Sequence, residues 1–426
     1  MMKGRQAMNG LFIPMLTVVL ATSFIAAVPA SGASEAVLHS FSGGVDDGAA
    51  PYAGLTYLGG TLYGTTSSGG PIEAGCASTC GTVFSVTPAG VEKVVYFFQG
   101  SSGSESDGGS PKSGLIDVGG TLYGTTYIGG VDAYATLGYG TVFSVTPNGT
   151  ERVLHAFYGG YADGSYPSAN LVNVGGVLYG TTQQGGGSSN CGAGVGCGMV
   201  FATTRTGIEG VVSVFRGGAG YGGSSASPSS SLIDIDGTLY GTTPYGGSIC
   251  GTSSLGCGAV FTVTPAGDEK DIYYFKGGSD GAYPSASLIN VGGTLYGTTF
   301  GGGAHGYGTV FSVTETGAET VVYSFKGDSD GADPSAALVD VNGKLYGTTD
   351  YGGRKSATCP IGCGTVFSVT KKGVEKVVYS FQGGTDGALP FASLIGVGAT
   401  LYGTTWEGGG TGCGGNGCGT VFSVTP

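Results

Sequence analysis

The pentapeptide Leu-Tyr-Gly-Thr-Thr occurs seven times in this chain, starting at Leu62, Leu122, Leu178, Leu239, Leu295, Leu345 and Leu401. The intervals are 60, 56, 61, 56, 50 and 56 residues, so one structural unit recurs along the chain. A second string, Gly-Thr-Val-Phe-Ser-Val-Thr, starts at Gly81, Gly140, Gly308, Gly364 and Gly419, with divergent copies at Gly198 and Gly258. A third landmark is an aromatic residue shortly before glycine: Phe41, Phe98, Phe157, Phe215, Phe275, Phe325 and Phe381.

Each unit reads as four short β-strands. In the fifth copy, Ser285 to Val291 is followed by a Gly292-Gly293 turn and by Thr294 to Thr299. After a longer loop come Gly308 to Thr314, a turn at Glu315-Thr316-Gly317, and Glu319 to Phe325. The segments are rich in Val, Thr, Tyr and Phe, are bounded by glycine turns, and have no helical period. Four antiparallel strands repeated seven times predict an all-β, seven-bladed β-propeller.

The order of segments predicts how the ring closes. Glu35 to Phe41 reads as a fourth strand, by comparison with Arg152 to Phe157, and the last unit stops after its third strand, at Thr425-Pro426. The N-terminal strand is therefore expected to complete the last blade. The expected domains are a secretory signal peptide over 1–33 and a single propeller over 34–426. The signal peptide is read from Lys3 and Arg5, the apolar run from Leu11 to Val28, and small residues at a cleavage site near Ala30 or Ala33. An uncleaved anchor is the alternative, because that run approaches spanning length. No later segment is apolar enough to span a membrane, and the expected location is secreted or extracytoplasmic.

Composition restricts the partners. The 91 glycines and 16 prolines suggest low complexity, but 40% hydrophobic residues with 25 Tyr and 19 Phe require a folded core. A net charge of −12 argues against nucleic acid, whose phosphates need a basic surface. A monomer is expected.

The ten cysteines form five local pairs between the second and third strands: Cys76 with Cys80, Cys191 with Cys197, Cys250 with Cys257, Cys359 with Cys363, and Cys413 with Cys418. Even local pairing in an exported chain predicts disulfides. Zinc is the alternative, but the spacings vary, each loop offers two ligands, and no histidine lies near. The two units without cysteine carry Tyr139 and Tyr307 at the second cysteine's place. No metal and no cofactor are expected.

Loops before strand one and between strands two and three emerge on one face, which is where recognition is expected. The first kind carries Asp-Gly-x-x-Pro at Asp47, Asp107, Asp163, Asp280, Asp330 and Asp386, broken in the fourth unit, where Gly222-Gly223-Ser224 precede Pro228. Calcium is one reading of these acids; a turn, with the carboxylate accepting backbone N–H bonds, is the preferred one. Directly after the pentapeptides stand Ser67, Tyr127, Gln183, Pro244, Phe300, Asp350 and Trp406, followed in places by Gln184, Tyr245, Tyr351 and Glu407. Aromatic faces beside polar groups suit sugars. The candidate ligand-binding residues are Tyr127, Tyr245, Asp350, Tyr351, Trp406 and Glu407, with local plugging of the loops as the alternative. The three histidines, His39, His155 and His305, are scattered, and no catalytic constellation stands out. Asp350 and Glu407 are the one carboxylate pair to test for acid–base work.

The tandem Leu-Tyr-Gly-Thr-Thr and Gly-Thr-Val-Phe-Ser-Val-Thr-Pro strings resemble the GloVer tandem-repeat family of bacterial extracellular proteins, over essentially the whole mature chain. That resemblance implies location and architecture and no chemistry. Members often carry a C-terminal anchoring segment, which this sequence does not show. The expected function is recognition of an extracellular glycan or a protein partner. The alternatives are a polysaccharide lyase or glycosidase, and a cell-surface scaffold.

Overall fold

The computed structural model describes Met1 and residues 33–426, except 73–75, 77–78, 101–105, 131–137, 161, 192–194, 218–222, 248–249 and 251–254. The predicted signal peptide falls almost wholly outside the described residues. Seven four-stranded antiparallel sheets make up the propeller. Blade 1 consists of Thr56–Leu58, Thr61–Thr66, Thr82–Val86 and Glu92–Phe97. Blades 2 to 6 repeat this order. Their fourth strands are Glu151–Ala156, Glu209–Val214, Glu269–Tyr274, Glu319–Ser324 and Glu375–Ser380.

Blade 7 is assembled from both ends of the chain. Ile395–Val397, Thr400–Thr405 and Thr420–Thr425 are completed by Ser34–Ser40, which runs from Ser34 opposite Thr425 to Ser40 opposite Thr420 with a bulge between Val37 and His39. The predicted closure is the observed one.

The pentapeptide has a separate task at each position. Its leucine is fully buried in the layer between blades. Its glycine faces the third-strand phenylalanine of the same blade; a Cβ on Gly241 would lie 2.6 Å from Phe261 Cζ and 2.9 Å from Leu232 Cδ2. The aromatic that needs this space belongs to the blade itself. It then meets the preceding blade's closing phenylalanine edge to face, at 4.9 Å for Phe215–Phe261 and 5.0 Å for Phe41–Phe84. Such a pair contributes about 0.5–1.5 kcal/mol beyond its buried area. Except in blade 2, the first threonine donates to the next blade, as Thr65 Oγ1 does to Ser113 O at 2.7 Å and Thr404 Oγ1 to Ala53 O at 3.2 Å across the closure. Except in blades 3 and 4, the second threonine meets a threonine on strand three, at 2.8 Å for Thr66 and Thr82.

Five disulfides form between the local pairs predicted above. Each second cysteine is buried, and its carbonyl accepts the backbone N–H of the next blade's leading loop, as Cys80 O does from Ser110 at 2.7 Å. Tyr139 and Tyr307 make the same bond, to Tyr166 at 2.9 Å and Asp333 at 3.0 Å. The niche is the same too. A Cβ on Gly217 would strike Cys191 Sγ and Cys197 Sγ at 2.7 Å, and one on Gly327 would strike the Tyr307 ring at 2.4 Å. Disulfides are the chemistry of an oxidising, extracytoplasmic compartment. Among the described residues no helix is long and apolar enough to cross a membrane.

An acidic layer also joins neighbouring blades. The fourth strands carry Glu35, Glu92, Glu151, Glu209, Glu269, Glu319 and Glu375, and each buries its Oε1 without a hydrogen-bond partner. Beside six of them lies the Asp-Gly aspartate of the preceding loop. Asp47 accepts the backbone N–H of Ser42 and of Gly48, both at 2.7 Å. The third member comes from the preceding blade's fourth strand. It is a tyrosine donating its hydroxyl to the aspartate at four interfaces: Tyr96 to Asp107 at 2.6 Å, Tyr273 to Asp280 and Tyr323 to Asp330 at 2.7 Å, and Tyr379 to Asp386 at 3.0 Å. At two interfaces it is His39 or His155. At the remaining one the fourth unit's loop has no such aspartate, and Ser225 Oγ donates to Asp271 instead.

Candidate functional site

The leading loops and the loops between strands two and three meet on one face, pairing in short ribbons such as Gly48–Ala49 with Ser68–Gly69 and Gly387–Ala388 with Glu407–Gly408. The leading loops share the pattern Pro-x-(Ala/Ser)-x-Leu, beginning at Pro51, Pro111, Pro167, Pro228, Pro284, Pro334 and Pro390. The residue before each of these prolines has a left-handed backbone: Ala50 at φ 54°, Ser110 51°, Tyr166 60°, Ser227 55°, Tyr283 61°, Asp333 58° and Leu389 57°. A non-glycine residue there costs about 1–3 kcal/mol. The surrounding bonds hold it in place, because its N–H meets the preceding blade's cysteine or tyrosine carbonyl. Its own C=O accepts the residue after the pentapeptide in most blades, such as Trp406 N to Leu389 O at 3.0 Å.

This bent segment turns the following residues towards the axis, where they form a funnel of about 220 Å³. The floor is small and polar. Gly114 N–H donates to Asn170 Oδ1 at 2.6 Å, Asn170 N–H to Ser231 Oγ at 2.9 Å, and Ser231 N–H to Ser287 Oγ at 2.9 Å. Ala337 N–H donates to Ser393 Oγ at 3.0 Å. Each bond links one blade to the next around the axis.

The walls differ from side to side. On blades 7 and 1, Phe391 lies between Trp406 and Tyr52, with ring centres 5.6 Å apart on both sides. On the adjoining blades 2 and 3, Tyr127 packs on Tyr166 at 5.1 Å, and Lys112 Nζ lies 3.5 Å from the centre of the Tyr127 ring. Burial holds the Lys112 ammonium below the usual lysine range. Gln183 Nε2 donates to Ser168 Oγ at 2.9 Å, and Ser335 Oγ donates to Asp350 Oδ1 at 2.6 Å. Burial, opposed by the Ser335 bond and helped by Asp333, pushes the Asp350 carboxyl well above the carboxylate range.

Of the sequence-predicted residues, Tyr127 lines this funnel and Trp406 backs it through Phe391. Asp350 is buried and reaches it only through Ser335. Tyr245 lies elsewhere, in a neighbouring cleft of about 780 Å³ that also holds Gln184, Tyr283 and Phe300. Tyr351 is tied to Ala332 by two backbone bonds, and its phenol is pushed up by burial and by Asp350, Asp333 and Glu407. The Glu407 Oε1 accepts Asn416 Nδ2 at 3.2 Å. Sequence reasoning did not single out Tyr52, Phe391 or Lys112. The signal is the position after the leading-loop proline, which reads Tyr52, Lys112, Ser168, Ser229, Ser285, Ser335 and Phe391 around the ring.

Comparison with known proteins gives a family but no chemistry. The Gloeobacter/Verrucomicrobia repeat model matches residues 23–251 and 192–422. No curated protein matches. Solved structures with similarity include a gluconolactonase from Xanthomonas campestris, at 14% identity over 67% of this chain and 78% of that one, with a TM-score of 0.38. Another is a PQQ-bound aldose sugar dehydrogenase from Streptomyces coelicolor, at 12% identity over 93% and 99%, with a TM-score of 0.42. Likenesses this distant carry no argument about a substrate.

Proposed function

We propose that this chain, which belongs to the Gloeobacter/Verrucomicrobia repeat family, is an exported recognition module that binds a glycan end-on in its axial funnel. The signal peptide read from Lys3, Arg5 and the apolar run after them supplies the export route, consistent with the five disulfides. The observation that carries the reading is that Tyr52 and Phe391, backed by Trp406, share one funnel with Lys112, Tyr127, Gln183 and a serine-lined floor. A sugar ring has apolar C–H faces and a hydroxyl edge. The aromatic rings offer the faces apolar surface, and Lys112, Gln183 and the floor offer the edge donors and acceptors. A volume of about 220 Å³ suits one or two sugar rings at a chain end better than the side of a polymer.

The test is a glycan array followed by calorimetry on the best hit. Trp406→Ala and Phe391→Ala are expected to weaken binding at least tenfold, about 1.4 kcal/mol, with the fold intact. Tyr245→Ala, in the neighbouring cleft, is expected to leave it unchanged. Hits that bind equally well without Trp406 and Phe391 refute the reading. Asp350 supports a second reading, because a carboxyl whose pKa is raised by burial suits a general acid. Release of sugar from the bound glycan that is lost in Asp350→Asn and Glu407→Gln would establish an enzyme.

A further inference from the structure

We propose that two of the inter-blade acidic layers are metal sites, each taking a first-row divalent cation of the zinc class between the outer strands of adjacent blades. The first site has His39 from the fourth strand of blade 7, Asp47 from the loop leading into blade 1, and Glu92 from the fourth strand of blade 1. The second has His155, Asp163 and Glu209, placed identically between blades 2 and 3. In each, one ligand atom from every residue lies within 4.8 Å of the other two.

The distances suit a shared ion better than a hydrogen bond. His39 Nε2 lies 3.6 Å from Asp47 Oδ1, and His155 Nε2 lies 3.5 Å from Asp163 Oδ2. Two ligands on one tetrahedral zinc stand about 3.4 Å apart, given bonds of about 2.0–2.1 Å. The nitrogens aimed at the centre are otherwise unserved. His39 Nε2 and His155 Nε2 are both buried without a hydrogen-bond partner. Their orientation is fixed from outside. Each imidazole packs edge to face on a phenylalanine at 4.7 Å, Phe41 or Phe157. Each aspartate is held by backbone N–H groups: Ser42 and Gly48 on Asp47, Tyr158 and Gly164 on Asp163. Outer contacts of this kind usually orient metal ligands.

The molecule contains its own control. At the four tyrosine interfaces the phenol hydroxyl occupies the place between the carboxyl groups and donates to the aspartate at 2.6–3.0 Å. Imidazole is shorter and leaves that place open, while supplying a nitrogen ligand. One nitrogen and two carboxylates select a borderline cation over calcium or magnesium, which prefer all-oxygen shells.

The test uses the full chain after dialysis against a chelator, titrated with Zn²⁺ against a metal-indicator dye. The expected result is two equivalents bound per chain and a raised melting temperature, with no response to Ca²⁺. His39→Tyr and His155→Tyr each install the residue of the other four interfaces. Each is expected to remove one equivalent while preserving metal-free stability, and the double variant to remove both. Glu92→Gln and Glu209→Gln keep side-chain volume and give a second route to the same losses should a tyrosine variant fail to fold. Two equivalents retained by the double variant, or no zinc bound at micromolar concentration by the unaltered chain, would overturn the proposal.

Discussion

At the start of each fourth strand a glutamate is wedged between two blades, and at the tyrosine interfaces its partner is an aspartate. Burial, and then the neighbouring aspartate, push Glu319 and Glu375 up to about 7 and Glu151 to about 8. Glu35 rises to about 7 for the same two reasons. A carboxyl whose pKa is raised on folding favours the native state while it is protonated. Its contribution is complete below the unfolded value near 4.5 and is lost as pH rises through about 7 to 8. The melting temperature is therefore expected to be higher at pH 5 than at pH 9. Glu319→Gln, which mimics the neutral acid, should flatten the alkaline fall, and a variant as steep as the parent would refute the assignment.

The loop between strands two and three shows two chemistries in one role. A disulfide in blades 1, 3, 4, 6 and 7 and a tyrosine in blades 2 and 5 fill the same space and present the same carbonyl to the next blade. Replacing Cys76 and Cys80 by alanine should cost about 2 kcal/mol from loop entropy, since the loop closed is very short. Tyr307→Ala should cost less, because the ring beside Gly327 is 44% exposed and leaves no buried cavity. Denaturant melts of both variants check this; an unchanged Tyr307→Ala stability would mean that the tyrosine only fills a surface gap. These loops were readable in the sequence because their parts are local: cysteines four to seven apart, and a tyrosine at the matching place. The acidic layers were not. Tyr273 and Glu319 lie in different units, and a glutamate heading a strand looks like any solvent-facing residue until the blades are stacked. The funnel was half legible for a similar reason. Tyr127 and Trp406 stand out after an invariant pentapeptide, whereas Tyr52 and Phe391 stand in a looser pattern and become neighbours only across the closure between blades 7 and 1.

For the whole ring, everything turns on one non-covalent seam. Ser34–Ser40 lies on Thr420–Thr425, Phe41 enters the layer against Phe84, and Thr404 bonds to Ala53 across the same junction. Deleting residues 35–41 removes the outer strand of blade 7 and bares the edge of Thr420–Thr425. The truncated chain is expected to melt at lower temperature and to self-associate on size-exclusion chromatography. A monomer of parental stability would show that the seam is dispensable. The seam also imposes a schedule. His39 pairs with Val421, so Ser34–Ser40 must wait, unpaired, for a strand about 380 residues further along the chain. Loop-closure entropy weighs against so distant a contact, and such contacts slow folding. Six blades can form as the chain emerges, but the seventh cannot close until Thr420–Thr425 has been made. Until then the molecule is an open arc whose leading strand is exposed to chaperones and proteases alike.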